Sequence, residues 1–227
     1  MNKVFDALDE VIVRGRIRQD ELLESHTILK STGHAEFYVE IDKTDDLIKI
    51  IRESRKLGVS VFVLGSGSYI KIPKGGINGL VIKNNCRRFD KMSMRGTIRD
   101  SQVGLRDVVV SAESGVIMNQ LVRFTIEEGL EGLEYQLGLP GTLGGAISTN
   151  AKYKNKHVRD FLYSIRILSM EGEVQVYTKD LPYFVAPEAE LQETEDVILS
   201  AVFKLAPEDK KILWERGEEA LEYRNRV

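Results

Sequence analysis

Hydrophobic patterning divides the first third of the chain into a strand, a helix and a second strand. Residues 37–41 (FYVEI) and 59–64 (VSVFVL) are short apolar runs rich in β-branched and aromatic residues, which is typical of strands. Between them, residues 43–57 carry apolar side chains at helical spacing, with Thr44 as a candidate N-cap and Gly58 at the end. The pattern predicts a βαβ unit.

The rest of the chain alternates mainly with the period of a strand. We expect an α+β fold in two lobes, because antiparallel strands follow the βαβ unit and surround one helix. A βαβ lobe is predicted over residues 1–85, a second α+β lobe with an antiparallel sheet over 86–207, and a charged helix over 208–227. The individual predictions are a helix at 2–13, polar irregular chain at 14–34, strands at 79–83, 107–112, 162–169 and 198–205, a helix at 119–128, and hairpins around Arg95 and Gly96 and at Glu171 and Gly172.

Residues 138–150 (GLPGTLGGAISTN) are the most unusual stretch, with four glycines and one proline in thirteen residues. Glycine inside a helix or strand costs roughly 0.5–1 kcal/mol relative to alanine, and proline removes a backbone donor. We therefore predict that this stretch is neither helix nor strand. It is expected to be a backbone-lined site for a large flat or phosphorylated ligand.

A second glycine segment, residues 65–68 (GSGS), directly follows the strand at 59–64. Ile70 stands where a dinucleotide-binding GxGxxG motif has its third glycine, and no Gly-Lys-Ser/Thr follows. A phosphate site at a helix N-terminus is therefore not predicted. The successive amides from Gly65 to Tyr69 form either an anion-binding nest or an ordinary turn, and both alternatives remain open.

Composition narrows the class of protein. The formal net charge is −3 and the apolar content is 42%, which is ordinary for a globular chain and offers no basic field for nucleic acid or anionic membrane. No run approaches the ~18 apolar residues of a membrane span, and the acidic N-terminus is unlike a signal peptide. A single cysteine, Cys86, excludes a disulfide framework and fits the cytoplasm. The scattered His26, His34 and His157 predict no metal site.

Four segments carry a family resemblance. Residues 129–153 (GLEGLEYQLGLPGTLGGAISTNAKY) resemble the flavin-binding signature of the UDP-N-acetylenolpyruvoylglucosamine reductase (MurB) family. Residues 108–129 resemble the strand and helix that precede this signature, residues 61–68 (VFVLGSGS) resemble the family's flavin loop, and residues 26–40 are similar to its N-terminal segment. The similarity extends over nearly the whole chain in the same order, and the PGTxGGA element is quite specific.

The resemblance implies a two-lobed FAD-binding domain of the p-cresol methylhydroxylase/vanillyl-alcohol oxidase type, with FAD between the lobes. The loop that begins at Gly65, which is the first glycine loop along the chain, would hold the pyrophosphate. The loop that begins at Gly138, which is the second glycine loop, would wrap the flavin ring and its linker. In the family, NADPH reduces the flavin, which passes hydride to the enolpyruvyl group of a nucleotide-sugar in peptidoglycan precursor synthesis. The implied cofactor-binding residues are Gly65, Ser66, Gly67, Ser68, Tyr69, Gly115, Gly138, Pro140, Gly141, Thr142, Gly144, Gly145, Ala146 and Asn150.

Departures from the family pattern leave the catalytic residues unassigned. Tyr69 stands where the family loop has asparagine, and Lys152 and Lys154 replace small residues. Residues 181–187 (LPYFVAP) lack the arginine of the family's Tyr-Arg pair and offer only Tyr183, shifted in position. The family's further domain, with its proton-donating serine and catalytic glutamate, is also expected to be missing.

Three hypotheses follow from these matches and departures. The first is a cytoplasmic reductase of the MurB type. The second is a catalytically incomplete FAD-binding module, or half of a split flavoenzyme whose partner chain supplies the missing domain. The third is an α+β protein that binds a nucleotide without flavin.

Overall fold

The structure is a computed structural model that describes residues 3–12, 17–30, 32–99, 102–178 and 195–226. By the distribution of their contacts, the residues form two compact units. The first unit comprises the chain up to Cys86 together with residues 171–173, and the second comprises residues 87–170 and the chain from Val174 onward. Each unit has its own sheet and its own hydrophobic core.

The first unit is built on a four-stranded mixed sheet with the order β1-β2-β4-β3. Strands β2, β4 and β3 are parallel, and β1 pairs with β2 in the antiparallel direction. The β2–α2–β3 succession reproduces the predicted strand, helix and strand, while β4 lies between the two strands. Its elements are α1 (Lys3–Val11), β1 (Arg18–Leu22), a 3₁₀ turn (Leu23–His26), β2 (His34–Ile41), α2 (Thr44–Lys56), β3 (Val61–Leu64) and β4 (Ile77–Asn84).

Two sequence predictions in this unit are wrong. Strand β1 and the 3₁₀ turn occupy part of the segment expected to be irregular. As an edge strand, β1 buries none of its side chains fully, so it lacks the apolar alternation that marks a strand. Thr44 is the first residue of α2 rather than its N-cap, which is Lys43 and makes no side-chain cap.

The second unit contains an antiparallel sheet with the order β11-β10-β12-β6-β5, and the short β7 pairs with β12. Strand β5 continues through Arg95 and Gly96, which pair with Asp107 and Leu105 of β6, so the predicted turn at Arg95 and Gly96 is wrong. The elements are β5 (Phe89–Arg99), β6 (Gln102–Glu113), α3 (Met118–Glu127), β7 (Leu130–Glu131), a 3₁₀ turn (Glu134–Gln136), α4 (Leu143–Ser148), β8 (Lys152–Tyr153), β9 (Lys156–His157), a 3₁₀ turn (Val158–Phe161), β10 (Leu162–Leu168), β11 (Val174–Thr178), β12 (Val197–Pro207) and α5 (Lys210–Arg226).

One core joins this sheet to its helices. Val110 of β6 and Phe203 of β12 are fully buried together with Leu121 of α3, Leu143 of α4 and Leu213 of α5. The helices thereby cover one face of the sheet next to the end of β6. No helix in the described ranges combines the length and apolar character needed to cross a membrane.

The prediction that residues 138–150 contain no helix is also wrong. Helix α4 runs through Gly144 and Gly145 in the middle of that stretch. The glycines are tolerated because the helix has only six residues and is held by tertiary hydrogen bonds rather than by its own propensity.

Candidate functional site

The second glycine loop, residues 138–148, is hydrogen-bonded along its length to the turn that follows β6. The Met118 amide donates to the Gly141 carbonyl over 3.1 Å. The amides of Leu143 and Gly144 donate in the opposite direction, each over 2.8 Å, to the carbonyls of Val116 and Ser114. The loop is thus fixed before any ligand arrives, and the first amides of α4 find acceptors in the protein.

Gly144 and Gly145 differ in what surrounds them. A Cβ on Gly144 would lie 3.0 Å from Ser114 Cβ and 3.2 Å from Ser114 O, so this glycine allows the helix to approach the end of β6. A Cβ on Gly145 would meet only Thr142 Oγ1, at 3.7 Å. Gly145 is exposed, Thr142 makes no side-chain cap, and the Gly145 amide has no acceptor in the described part of the chain. Gly145 therefore presents a bare backbone donor.

At the start of the loop, Gly138 is required by helix α5. A Cβ there would lie 2.4 Å from Leu221 Cδ1, and the backbone φ is +79°. The Gly138 amide donates to Asn119 Oδ1 on α3 over 3.0 Å. The first residue of the loop therefore packs between α3 and α5, and Gly138 is a glycine because α5 leaves no room for a side chain.

A buried carboxylate lies just before the loop. Glu134 is fully buried, accepts the Gly132 amide, and lies 3.4 Å from Nη1 of Arg216. Burial raises the pKa of the Glu134 carboxyl, and the hydrogen bonds from backbone amides and from Arg216 only partly oppose this. Arg216 also contacts Glu131 and Glu208, at 3.2 and 3.4 Å, so α5 is linked to three carboxylates around the approach to the loop.

The remaining predicted cofactor-binding residues of the second unit offer mainly main-chain atoms to a ligand. The side chains of Thr142 and Ala146 are buried, and Gly115 lies in the buried turn between β6 and α3. Asn150 follows α4 in a left-handed conformation with φ of 45°. These residues and Pro140 lie along one continuous path with the loop, and any contact made by Thr142 or Ala146 would come from the main chain.

The first glycine loop, residues 65–69, directly follows β3. Gly67 has φ of +71°, and a Cβ there would lie 2.3 Å from the His26 carbonyl oxygen. Its own carbonyl accepts the Ile28 amide over 3.0 Å. The hydroxyls of Ser66 and Ser68 lie 2.6 Å apart and share a hydrogen bond.

The amides of this loop are oriented away from internal acceptors. Within the described ranges, the N–H groups of Ser66, Gly67 and Ser68 have no hydrogen-bond partner. A left-handed residue within a run of amides is the conformation that gathers N–H groups around an anion. The geometry therefore favours the nest over the ordinary turn. Gly65 begins the loop, and Tyr69, at its end, leaves 76% of its surface exposed.

A polar network behind this loop was not found from the sequence. His26 lies 2.9 Å from both Glu21 Oε1 and the Tyr38 hydroxyl, and its ring packs against that of Tyr38 at 4.3 Å. Burial and the neighbouring Glu40 hold the pKa of the Tyr38 hydroxyl far above its ordinary value. These residues come from separate elements, so their spacing along the chain carries no signal. The network fixes the segment against which Gly67 packs.

The structure therefore brings the predicted residues together as two sets, one in each unit. Residues 181–187, including Tyr183, lie outside the described residues. Across the described ranges, no three His, Cys, Asp or Glu side chains are grouped as a metal site would require.

Comparisons with known proteins agree with the fold. Residues 35–178 match the family described as FAD binding domain. A UDP-N-acetylenolpyruvoylglucosamine reductase of Clostridium tetani is 28% identical over 92% of this chain and 64% of that protein. The reductase of Geobacillus kaustophilus is 27% identical over 91% of the chain and 64% of its own length, and that of Desulforamulus reducens is 32% identical over 80% and 56%. The chain thus spans between 56% and 64% of the length of these relatives.

Two solved structures share the fold. UDP-N-acetylenolpyruvylglucosamine reductase (MurB) from Thermus caldophilus aligns with a TM-score of 0.67 at 21% identity, covering 93% of this chain and 70% of that chain. A solvent-stable cholesterol oxidase aligns with a TM-score of 0.60 at 12% identity, covering 88% and 39%. The predicted α+β fold of the p-cresol methylhydroxylase/vanillyl-alcohol oxidase type is confirmed, as is the resemblance to the FAD-binding portion of the MurB proteins.

Proposed function

Because the chain belongs to the FAD binding domain family, we propose that it binds FAD and works as a flavin-dependent oxidoreductase, with the glycine loop of each unit as a candidate cofactor-binding segment. The observation that carries the proposal is the pair of backbone surfaces. Among the described residues, the amides of residues 66–68 have no acceptor, and the amide of Gly145 has neither an acceptor nor a side chain over it. Both lie within the residues that match the family, 35–178.

The residues present fit this cofactor. FAD carries an anionic pyrophosphate, which backbone amides in a nest bind well, and a flat ring that needs a surface free of side chains. A Cβ on Gly145 would have no atom nearer than Thr142 Oγ1, so the exposed side of α4 is open to such a ring. When bound, FAD supplies hydride-transfer chemistry. The chain's own contribution is to donate these N–H groups and to keep the loops in place through Ser114, Val116 and the His26 segment.

The finer proposal follows the named relatives, which are UDP-N-acetylenolpyruvoylglucosamine reductases. We propose that NADPH is the electron donor, that the acceptor is the enolpyruvyl group of a nucleotide-sugar, and that the reaction serves peptidoglycan precursor synthesis in the cytoplasm. The third hypothesis, nucleotide binding without flavin, is disfavoured by the match to the FAD binding domain family.

A second candidate function is FAD binding without reductase activity in this chain alone. It is favoured by the absence of arginine from residues 181–187 and by Lys152 and Lys154 at positions where the family has small residues. In that case a partner chain would complete the site. Both candidates bind FAD, and they differ in whether this chain alone catalyses the reduction.

The visible absorbance spectrum of the purified protein tests both candidates. We expect bound flavin, or uptake of added FAD with a shifted spectrum. NADPH under anaerobic conditions is then expected to bleach the flavin, and UDP-N-acetylglucosamine enolpyruvate to restore its absorbance. Protein that neither contains nor takes up FAD would overturn the proposed function. Bound FAD that NADPH does not bleach would favour the second candidate over the first.

A further inference from the structure

The first glycine loop is bordered by exposed apolar side chains. Tyr69 is 76% exposed, and Ile28 and Leu29 are 63% and 56% exposed. The Ile28 amide is hydrogen-bonded to the Gly67 carbonyl, so the segment carrying Ile28 and Leu29 runs directly beside the loop that ends in Tyr69. Single exposed apolar residues are ordinary, but a group of them beside polar binding groups marks a ligand surface.

Tyr69 has no internal role that would account for an aromatic residue there. In the described part of the chain, no ring, cation or hydrogen-bonding group contacts its side chain. It also departs from the asparagine that the family resemblance predicts at this position. The backbone that carries it is fixed nevertheless, because Gly67 packs against the His26 carbonyl with no room for a Cβ. The backbone of Tyr69 is therefore held next to residues 66–68, whose amides have no acceptor within the described residues.

The chemical structure of FAD indicates which of its groups the Tyr69 ring would contact. FAD has two ring systems, the isoalloxazine and the adenine, joined through the pyrophosphate. The proposed function assigns the pyrophosphate to the amides of the first loop. The adenine is joined to the pyrophosphate through a single ribose, so it would lie close to that loop.

We propose that Tyr69, with Ile28 and Leu29 on the segment beside its loop, is a stacking platform for the adenine of FAD. The inference rests on the proposed FAD binding and deepens it, since it makes Tyr69 a determinant of dinucleotide over mononucleotide binding. Stacking on an aromatic side chain needs no hydrogen-bond readout, so the phenol hydroxyl is dispensable. An asparagine at this position could not supply the same surface.

The test compares three variants by titration with FAD and with FMN, which lacks the adenine. Tyr69→Ala is expected to weaken FAD binding about fivefold or more, as the loss of a base–aromatic stack does, and to leave FMN binding within about twofold. Tyr69→Phe should bind FAD like the wild type. The matched control is Tyr163→Ala, because Tyr163 is also exposed, at 52%, but lies on β10 of the second unit. It should bind FAD like the wild type.

A second readout separates the adenine from the flavin. At saturating FAD, the visible spectrum of Tyr69→Ala should match that of the wild type, because the isoalloxazine keeps its surroundings. Unchanged FAD affinity in Tyr69→Ala would overturn the inference, as would an equal loss of FMN affinity or a changed flavin spectrum. Each of these three results leaves FAD binding by the wild type intact. A wild-type protein that takes up no FAD overturns the proposed function and this inference together.

Discussion

The two glycine loops differ in how the protein holds them. The first is held mainly at Gly67, which packs against the His26 carbonyl and accepts one hydrogen bond from Ile28. The second is hydrogen-bonded at Gly141, Leu143 and Gly144 to the turn after β6. As a result, successive amides of the first loop have no acceptor in the described ranges, whereas most amides of the second loop donate to acceptors within the protein.

The difference shows that glycine content does not measure ligand contact. In the second loop, Gly138 makes room for Leu221 and Gly144 makes room for Ser114, so both are glycine for reasons of packing. Gly145 is the residue whose surroundings leave space for something outside the protein. The proposed cofactor site therefore uses fewer glycines than the motif contains, and each can be tested separately.

The largest expected effect is at Gly67, the main point at which the first loop is held. Gly67→Ala places a Cβ 2.3 Å from the His26 oxygen and also forces a left-handed alanine. We expect a loss of about 3 kcal/mol in the free energy of unfolding, the sum of about 1 kcal/mol for the backbone conformation and about 2 kcal/mol for the overlap. The measurement is denaturant unfolding of the apo-protein.

The matched control for this prediction is Gly58→Ala. Gly58 has a similar φ of +68° but no atom within 4 Å of the added Cβ, so it should lose only about 1 kcal/mol. Equal losses in the two variants would show that packing against His26 does not hold the loop, and the contrast between the loops would be lost.

An intermediate effect is expected from the adjacent glycines of the second loop. Gly144→Ala brings the new methyl 3.0 Å from Ser114 Cβ and should destabilise the protein by about 1 kcal/mol. Gly145→Ala meets nothing closer than 3.7 Å and should be neutral or stabilising by up to about 1 kcal/mol, because alanine favours the helix.

For FAD affinity the order of the two variants should be the opposite, with the larger effect in Gly145→Ala. Gly145→Ala is expected to weaken FAD binding about tenfold or more, a factor equal to about 1.4 kcal/mol, because its methyl covers the bare amide. Thermal unfolding of the two variants checks the order of their stabilities, and FAD titration of the same samples checks the order of their affinities. A Gly145→Ala protein that binds FAD like the wild type would remove this residue from the site.

The smallest effect is a pH dependence that originates next to the second loop. The pKa of Glu134 is raised in the folded protein, mainly by burial. The folded state therefore binds more protons than the unfolded state between the ordinary pKa and the raised one. The corresponding stability is present at low pH and is lost as the pH rises through that window.

The Glu134→Gln variant isolates this contribution, because it keeps the side-chain shape and removes the titration. The difference in free energy of unfolding, wild type minus Glu134→Gln, should fall as the pH rises from about 4.5. A difference that stays flat or rises over this range would mean that Arg216 and the Gly132 amide dominate over burial.

Much of the fold could be predicted because local patterns recorded it. Helix α2 has an apolar stripe and a glycine after its end, and β3 is an unbroken apolar run, so both were located to within two residues. Strand β1 was missed because it lies at the edge of the sheet with no fully buried side chain. Helix α4 was missed because its stability comes from hydrogen bonds to Ser114 and Val116, more than twenty positions earlier, rather than from its own residues.

The candidate site shows the same division. The sequence by itself predicted glycine-rich backbone at 65–68 and 138–145 as candidate ligand-binding segments, because glycine permits close approach and unusual φ angles. Only the tertiary structure decided which of these glycines are required by packing within the protein. Leu221 occupies the space at Gly138, Ser114 the space at Gly144 and His26 the space at Gly67, and each of these contacts joins residues distant in sequence. The space that the described residues leave at Gly145, and the amides of residues 66–68 for which they provide no acceptor, are therefore properties of the packed chain.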